Sequence, residues 1–323
     1  MHRRTFMKTA AAVATAAAIE PIHGADAVSI PVIDTHIHLF DPTRPGGVPW
    51  PDKTDTKLYR PALPARFTQL AQPHGVVGAI EVECSPWMAD NFWVQDVCEK
   101  NEIMLGYIGD LLPDAPDFAA TLDLLHRSPL FLGIRYGNLW NRDLGAAAQN
   151  SAFISGLKLL AEAGLVLETA NPDAALIAAV VAVSGRIPDL RIVLDHLANA
   201  KIPADTAARE KYDANLHELA QRPNVFVKGS EIGRRVDSRV SPDEPAYKAA
   251  LDQIWDLFGE DRVFFGSDWP NSDSVANYDE TFEVAQRYIS TRSESAQQKY
   301  FWKNSISVYK WRPRTPAQAR LKA

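Results

Sequence analysis

The 323-residue sequence is poor in cysteine, in blocks of like charge and in long apolar runs. Its two cysteines, Cys84 and Cys98, are too few for a disulfide framework, and their spacing matches no metal-binding motif. The 34 basic and 40 acidic residues give a formal charge of −6 with no basic block. These absences argue against a disulfide scaffold, a nucleic-acid-binding protein and a polybasic membrane-binding protein. We interpret both cysteines as buried small apolar residues.

Residues 1–27 have the pattern of an export signal rather than of a folded element. The segment starts with the basic residues Arg3, Arg4 and Lys8, continues through an alanine-rich stretch and ends in an A-x-A pattern at 25–27. The paired arginines are typical of a twin-arginine signal. We therefore predict a signal peptide over 1–27 and a periplasmic or secreted mature chain over 28–323. No run in that mature chain is long and apolar enough to span a membrane.

From residue 31 onward, short apolar runs alternate with amphipathic segments of helical length. Eight runs rich in β-branched and aromatic residues predict strands: 32–36, 77–83, 104–109, 131–135, 166–169, 192–196, 225–228 and 263–267. Amphipathic segments between them predict helices: 87–101, 117–126, 152–163, 173–184, 206–220 and 247–258. Eight such units in about 290 residues predict an α/β protein with one domain, a (β/α)8 or TIM barrel. A doubly wound parallel sheet is the alternative that this alternation allows.

Polar residues stand in the first predicted strand, where a buried barrel strand should be apolar. By the two-residue period of a strand, Asp34, His36 and His38 share one face. An unpaired polar group inside a barrel costs a few kcal/mol, so this pattern needs an explanation. The two imidazoles, about 7 Å apart along a strand, can converge on one cation where the strand end curls. We expect Asp34 to support one of them.

Two other predicted strands also end in residues of the metal-ligand type. The sixth ends in Asp195–His196 and the eighth leads into Asp268. Since the carboxyl ends of all barrel strands meet at one mouth, His36, His38, His196 and Asp268 are expected to face one another there. The sequence therefore predicts a metal or catalytic site at the mouth. Asp268 has a second interpretation as a helix N-cap, because Pro270 follows it closely.

Several motifs carry a family resemblance over essentially the whole mature chain. They are IDTHIHLFDP at 33–42, LGIRYG at 132–137, LDHLANAKIP at 194–203 and FGEDRVFFGSDWP at 258–270. In this order they resemble the amidohydrolase superfamily, and within it the branch of fuconolactonase-like and pyrone-dicarboxylate-lactonase-like enzymes. The resemblance implies a barrel that hydrolyses a cyclic ester at its C-terminal mouth, with an aspartate of the last strand handling the water. Many members of the family bind a metal, and some work without one.

The sequence departs from the superfamily pattern at the fourth and fifth strands. Where other members carry a lysine or glutamate and a histidine as further ligands, these strands end in Arg135 and Glu168. We therefore expect one divalent metal, with zinc as the first choice for nitrogen and oxygen ligands. Its candidate ligands are His36, His38, His196 and Asp268. Glu168 either replaces the missing histidine as a ligand or binds substrate hydroxyls.

The mechanism expected for a lactone hydrolase assigns roles to these residues. Water must lose a proton as it attacks the carbonyl, so Asp268 is the candidate base, and His196 or the metal polarises the carbonyl. Candidate substrate-binding residues are Arg135, Glu83, Glu168, Trp50 and Tyr59, the last two in the loop 41–64 after the first strand. Because guanidinium binds carboxylates in bidentate fashion, Arg135 indicates a small, anionic lactone. Glu81 is expected to pair with Lys228.

Two alternative functions remain compatible with the sequence. Related barrels with a similar set of histidines and aspartate are lyases that remove CO2 from aromatic acids in a metal-dependent reaction. A binding protein on a barrel that has lost its chemistry is the other, since fold alone does not guarantee activity. The complete set of ligand-type residues at the strand ends favours an enzyme.

Overall fold

The computed structural model of the protein describes residues 30–233, 235–236, 239–241, 243 and 245–321. Eight parallel strands follow one another in chain order around one sheet: β1 Val32–Ile37, β2 Val76–Val82, β3 Met104–Gly109, β4 Phe131–Arg135, β5 Val166–Thr169, β6 Arg191–Leu194, β7 Val225–Gly229 and β8 Val263–Phe265. The sheet closes between its first and last strands through a parallel bridge from Ile37 to Trp269. The predicted (β/α)8 barrel is confirmed. The predicted export signal lies outside the described residues.

Helices connect the strands and cover the outside of the sheet. They are α1 Pro64–Ala71, α2 Met88–Glu99, α3 Phe118–His126, α4 Leu144–Ala147, α5 Ser151–Glu162, α6 Ala174–Arg186, α7 Thr206–Ala220, α8 Pro245–Phe258, α9 Tyr278–Ile289, α10 Glu294–Gln298, α11 Asn304–Tyr309 and α12 Pro316–Ala319. A short antiparallel hairpin, Arg235–Val236 with Arg239–Val240, lies in the loop after β7. Within the described part of the chain, no helix has the length and apolar character needed to cross a bilayer.

Side-chain caps determine where several of these helices begin. Asp173 and Asp205 accept hydrogen bonds from backbone N–H groups in the first turns of α6 and α7. At α9, Asn277 and Glu280 form a reciprocal capping box. Such a cap satisfies an otherwise unpaired N–H group and contributes about 1 kcal/mol. The loops at the mouth of the barrel therefore end at defined residues.

The sixth and eighth strands are shorter than the sequence suggests. They end at Leu194 and Phe265 rather than at 196 and 267, because the backbone leaves the extended conformation. His196 has φ of 57° and Asp268 has φ of 63°, in the left-handed region. A non-glycine residue there stores strain that is typical of functional positions. At both residues the chain therefore turns away from the strand direction at the mouth of the barrel.

The buried apolar side chains form one core around the sheet. Both cysteines are buried and free, as the sequence indicated. The barrel interior near the mouth contains charged residues in place of apolar ones. Four of them are fully buried: Glu168, Asp195, Lys228 and Asp268. Burying several charges is costly unless they are paired, which directs attention to this end of the barrel.

Candidate active site

Three imidazoles and one carboxylate meet at the C-terminal mouth of the barrel. The Nε2 atoms of His36, His38 and His196 lie 3.4, 3.0 and 3.9 Å from Oδ1 of Asp268. All four residues are at most 4% exposed. The structure thus brings together the four metal-ligand candidates of the sequence.

The ligand atoms form overlapping triads of the kind that hold a metal ion. One consists of His36, His38 and Asp268, and another of His196, Asp268 and Glu231. Asp268 belongs to both, and a third triad consists of His36, Asp195 and His196. Glu231, in the loop after β7, was not among the predicted residues.

The hydrogen bond of His38 determines which of its ring nitrogens carries a proton. Its Nδ1 lies 2.7 Å from the carbonyl oxygen of Val82, which can only accept, so Nδ1 is the protonated nitrogen in the neutral ring. Burial lowers the pKa of His38 to about 4, which keeps the ring neutral at neutral pH. The Nε2 lone pair therefore points at Asp268, and a proton or a cation must lie between the two acceptors.

The two other imidazoles are held in a similar way. His196 Nδ1 lies 2.9 Å from the hydroxyl of Ser230. His36 Nδ1 lies 3.4 Å from Lys228 Nζ and 3.7 Å from Asp195 Oδ1. Partners on the far ring nitrogen fix the orientation of a metal-binding histidine. All three rings are thus oriented with Nε2 towards Asp268.

This donor set fits a divalent metal. Nε2 of His36 is buried and has no hydrogen-bond partner among the described residues. Burial and nearby cations lower the pKa of His36 well below its usual range, so this ring is also neutral. Tetrahedral zinc with bonds near 2.0–2.1 Å separates its ligand atoms by about 3.3 Å, and the Nε2–Oδ1 distances fall on both sides of that value. Neutral imidazoles with one carboxylate are the ligands that zinc prefers.

Close backbone contact between β1 and the end of β8 builds the cluster. A Cβ atom at Gly266 would lie 2.7 Å from the Cβ of His36, so only glycine fits there. The Asp268 N–H donates to the His36 carbonyl at 2.8 Å, and the His38 N–H donates to the Trp269 carbonyl at 2.7 Å. The relative position of the imidazoles and the carboxylate is therefore set by backbone hydrogen bonds.

Asp34 does not support an imidazole, contrary to the expectation from strand periodicity. The pairing of β1 with β2 shifts register between Asp34 and Ile37, so the simple two-residue alternation fails there. The Asp34 carboxylate accepts from the backbone N–H groups of His36 and Ser267 and from the hydroxyl of Tyr278 on α9. It ties β1 to β8 and to the helix layer instead.

A buried ion-pair network lies next to His36. Lys228 Nζ lies 2.7 Å from Oε2 of Glu168 and 3.3 Å from Oδ1 of Asp195, and Tyr309 donates to Oε1 of Glu168 at 2.5 Å. Lys228 thus pairs with Glu168 and Asp195, and the expected pair with Glu81 is wrong. Both Glu168 oxygens are engaged, so the structure places Glu168 neither among the metal-ligand triads nor in the pocket described below.

Arg135 is held by a second buried pair. Its Nε donates to Oε1 of Glu83 at 2.9 Å, and its Nη2 donates to the Glu83 carbonyl. The indole of Trp140 donates to the other Glu83 oxygen at 3.0 Å. Since Nε and Nη2 both bond Glu83, Arg135 has no free edge for bidentate binding of a carboxylate, and an anionic substrate stays a prediction. Nη1 lies 3.8 Å from Oδ2 of the buried Asp195.

These groups line one pocket, which we call the mouth pocket, with a volume of about 250 Å³. The predicted residues Trp50, Arg135, His38, His196 and Asp268 line it, with Cys84, Leu139, Trp140, Ala170, Asn171, Glu231 and Asn271. Trp50 meets the His38 ring edge-on at 5.8 Å. Tyr59 is not among the described residues that line the pocket. Glu83 does not line the pocket, but it accepts hydrogen bonds from Arg135 and Trp140, which do.

Sequence reasoning missed some of the residues that shape the site and did not find the partners of others. Lys228 had a visible signal, since it is the one charged residue in the apolar run of β7. Asp195 directly precedes His196 but was given no role of its own. Trp140 was not among the predicted site residues, yet its indole N–H donates to Glu83. No local pattern indicated Glu231, because it follows its strand in an irregular loop.

Comparison with known proteins agrees with this architecture. The family model described as Amidohydrolase matches residues 33–311, and the chain belongs to that family. Two curated relatives are L-fucono-1,5-lactonases. The one from Burkholderia ambifaria is 29% identical over 74% of this chain and 80% of its own length. The one from Burkholderia multivorans is 27% identical over 90% of this chain and 98% of its own length.

Solved structures show the same fold. An amidohydrolase from Burkholderia multivorans with bound zinc has a TM-score of 0.77 and 24% identity, covering 87% of this chain and all of its own. A manganese-bound dihydroxybenzoic acid decarboxylase from Polaromonas has a TM-score of 0.58 and 16% identity, covering 87% of this chain and 97% of its own. The barrel is therefore shared by hydrolases and lyases.

Proposed function

We propose that the protein hydrolyses the ring ester of a sugar lactone in the mouth pocket. The observation that carries this proposal is the convergence of three imidazole Nε2 atoms on Oδ1 of Asp268, in a pocket that the guanidinium of Arg135 also lines. The two fuconolactonase relatives support a sugar lactone as the substrate class. The pocket volume of about 250 Å³ suits a small ligand.

Asp268 is the proposed base. Burial raises its pKa to about 8, so the carboxylate takes up a proton more readily than an exposed aspartate does. Asn271 donates to Oδ2 at 2.7 Å and leaves Oδ1 facing the imidazoles. Oδ1 accepts a proton from the water that attacks the lactone carbonyl. A base whose pKa lies near the working pH is deprotonated in a useful fraction of the molecules and still binds the transferred proton strongly.

The positive edge of Arg135 is the proposed partner of the developing oxyanion. Glu83 holds the guanidinium from behind, so Nη1 is oriented before the substrate arrives. A preorganised donor of this kind stabilises the charge that forms on the carbonyl oxygen. His196 also lines the pocket and polarises the same carbonyl.

The reaction ends with protonation of the leaving group. As the bond between the carbonyl carbon and the ring oxygen breaks, the proton held on Asp268 passes to that ring oxygen. The product is the open-chain hydroxy acid, and Asp268 returns to the carboxylate. One water is consumed for each ring opened, so no further reactant is needed.

A divalent metal, with zinc as the first choice, would be held by His36, His38, His196 and Asp268. When bound, it would lower the pKa of a coordinated water to about 7 and polarise the carbonyl. The zinc in the Burkholderia multivorans amidohydrolase supports this assignment. The neutral state of His36 and His38 prepares the site for a cation without competition from protons.

The deciding experiment measures ring opening on a panel of sugar lactones, including L-fucono-1,5-lactone, by acid release. Asp268→Asn should lower kcat by about 10²–10⁴-fold, the usual contribution of a general base. Asp273→Asn is the matched control, because Asp273 pairs with Arg66 outside the pocket. If the wild type opens no lactone but releases CO2 from aromatic acids, the lyase alternative is correct.

We also propose that the precursor is exported through the twin-arginine route. The support is the sequence of residues 1–27, with its arginine pair and A-x-A pattern. Since this route carries folded proteins, a metal site of this kind would be assembled before export.

A further inference from the structure

A group of cationic side chains lies outside the mouth pocket, where the loop after β1 and helix α1 meet the loop after β8. They line a separate cavity of about 430 Å³, which we call the basic pocket. Lys57, Arg60 and Arg66 line it together with the carboxylate of Asp273. Among the described residues of this lining, three are therefore cationic and one is anionic. None of these four residues lines the mouth pocket.

The two guanidinium groups converge on a single oxygen atom. Nη2 of Arg66 donates to Oδ2 of Asp273 at 3.0 Å, and Nη2 of Arg60 lies 3.7 Å from the same oxygen. Burial raises the pKa of Asp273, and the charges of Arg66, Arg60 and Lys57 act against that rise. All three cations thus act on one carboxylate, and the basic pocket keeps an excess of two positive charges.

Several donors of the basic pocket have no partner in the protein and are accessible from solvent. The ammonium of Lys57 and the guanidinium of Arg60 form no hydrogen bond among the described residues, and the Arg60 side chain is 56% exposed. The amide N–H groups of Gln69 and Asn277, two exposed residues of the lining, are also unbonded within the part of the chain that the structure describes. The pocket therefore presents accessible N–H donors and positive charge to a ligand.

The beginning of α1 adds to this positive potential. Arg66 lies in the first turn of the helix, which contains no acidic residue, and Leu63 at the N-cap provides no side-chain cap. The N-terminal end of a helix carries partial positive charge, so a cation is unfavourable there and an anion is favourable. Burial lowers the pKa of Arg66, and the nearby charge of Arg60 lowers it further. A bound anion would relieve the repulsion between these groups.

The size of the charge excess favours a phosphate group over a single carboxylate. A phosphate monoester carries about −1.5 to −2 charges at pH 7 and three acceptor oxygens. That charge matches the excess of two, whereas a monocarboxylate would leave one positive charge uncompensated. Guanidinium also binds phosphate oxygens in bidentate fashion, and no N–H group of Arg60 is hydrogen-bonded within the described residues.

We propose that the basic pocket binds a phosphate group, either free phosphate or the phosphomonoester of a larger molecule. Lys57 and Arg60 contact the phosphate oxygens, and Asp273 competes with the ligand for Arg66. The inference is independent of the proposed lactonase function, because the residues that carry it do not line the mouth pocket.

The first test is calorimetric titration of the protein with inorganic phosphate at low ionic strength. Arg60→Gln should weaken binding about three- to tenfold, as for one lost hydrogen bond at an exposed site. Arg209→Gln, at an exposed pair with Asp213 on α7, is the matched control and should leave the affinity unchanged. No binding by the wild type, or equal affinity in Arg60→Gln, overturns the proposal, since the phosphate would then bind elsewhere.

A second variant should change the affinity in the opposite direction. Asp273→Asn removes the negative charge and releases Arg66, so we expect phosphate to bind about three- to tenfold more tightly. A partly unfolded variant cannot produce such a gain, which separates the effect from a loss of structure. Asp96→Asn, at an exposed pair with Lys100, is the control. Weaker or unchanged binding by Asp273→Asn overturns the assignment.

Vesicles distinguish the two sources of a phosphomonoester. Phosphatidic acid in phosphatidylcholine vesicles presents this group at a lipid surface. Sedimentation with these vesicles, absent with phosphatidylcholine alone and lost in Arg60→Gln, would support a lipid head group as the ligand. Binding of free phosphate without sedimentation would support a soluble ligand. In either case added sodium chloride should weaken binding, and an affinity that salt leaves unchanged contradicts the proposal.

Discussion

Nε2 of His38 lies 3.0 Å from Oδ1 of Asp268, while Nδ1 of the same ring donates to the Val82 carbonyl. The far hydrogen bond fixes the tautomer, so two lone pairs face each other across the shortest contact of the cluster. Such a contact is repulsive unless a proton or a cation lies between the atoms. The geometry of the mouth is thus an arrangement for holding positive charge.

Replacing His38 by alanine should abolish metal retention. The variant loses one of the Nε2 ligands, so we expect the protein purified without chelator to hold far less than the one equivalent of metal expected of the wild type. Elemental analysis measures this directly. His74→Ala is the matched control, because His74 pairs with Asp279 outside the pocket. One equivalent in both variants would rule out His38 as a ligand.

Replacing Arg135 by lysine should lower kcat by about 10²–10³-fold, the usual effect of losing an oxyanion donor. A lysine cannot bond Glu83 at two points and still present a third nitrogen to the pocket. Steady-state kinetics on the lactone that the wild type opens best measure the effect. Arg142→Lys, at a partly buried pair with Asp110, is the control. A rise in KM with kcat unchanged would instead indicate ground-state binding.

Replacing Lys228 by methionine should destabilise the fold by about 3–5 kcal/mol, because Glu168 and Asp195 lose the cation between them. Urea unfolding measures the loss. Adding Glu168→Gln to the variant removes one of the uncompensated charges and should restore part of the stability. Lys100→Met, at an exposed pair with Asp96, should change stability by less than about 0.5 kcal/mol. Equal losses in both single variants would contradict the network.

Replacing Glu81 by glutamine should flatten the pH dependence of stability. Burial, with Glu83 nearby, raises the pKa of Glu81 well above its usual range, and the opposing effects of Arg135 and the Leu39 backbone are smaller. The folded state therefore holds this proton more tightly than the unfolded state does. The resulting stability is complete below the unfolded pKa and is lost as the pH rises towards the folded pKa.

Unfolding free energies of the wild type and Glu81→Gln at pH 5, 7 and 9 provide the measurement. The wild type should lose stability relative to the variant as the pH rises through this series. Glu99→Gln, on the exposed face of α2, should follow the wild type. Parallel curves for the wild type and Glu81→Gln would show that Glu81 ionises as easily in the folded protein as in the unfolded chain.

Replacing both Arg3 and Arg4 by lysine should retain the precursor in the cytoplasm, since the twin-arginine route reads that pair. Immunoblotting of periplasmic and cytoplasmic fractions measures the distribution. A signal of the general secretory type would tolerate the change, so unaltered export would contradict the twin-arginine assignment.

The barrel could be predicted because its signals are local. Eight apolar runs separated by amphipathic segments specify strands and helices through side-chain periodicity alone. Parallel strands joined by helices then have few ways to close. His36, His38, His196 and Asp268 followed from the same logic, because the carboxyl ends of barrel strands meet at one mouth.

The partners of those residues could not be predicted in the same way. Alternation put Asp34 with the imidazoles, but a register shift in β1 sends it to Ser267 and Tyr278. Lys228 was expected beside Glu81 and lies against Glu168 instead. Such pairs join strands distant in the chain, and a shift of one residue moves a side chain to the opposite face of the sheet.

The sequence by itself determined the barrel, the mouth at which its chemistry lies and the residue types that meet there, because each follows from the period of a strand and the direction of parallel strands. The tertiary structure alone decided that Arg135 bonds Glu83 through two of its nitrogens and that Lys228 and Tyr309 hold Glu168 outside the pocket. Distances of about 3 Å between residues far apart in the chain decide these points. They depend on how the closed barrel packs, which no local pattern encodes.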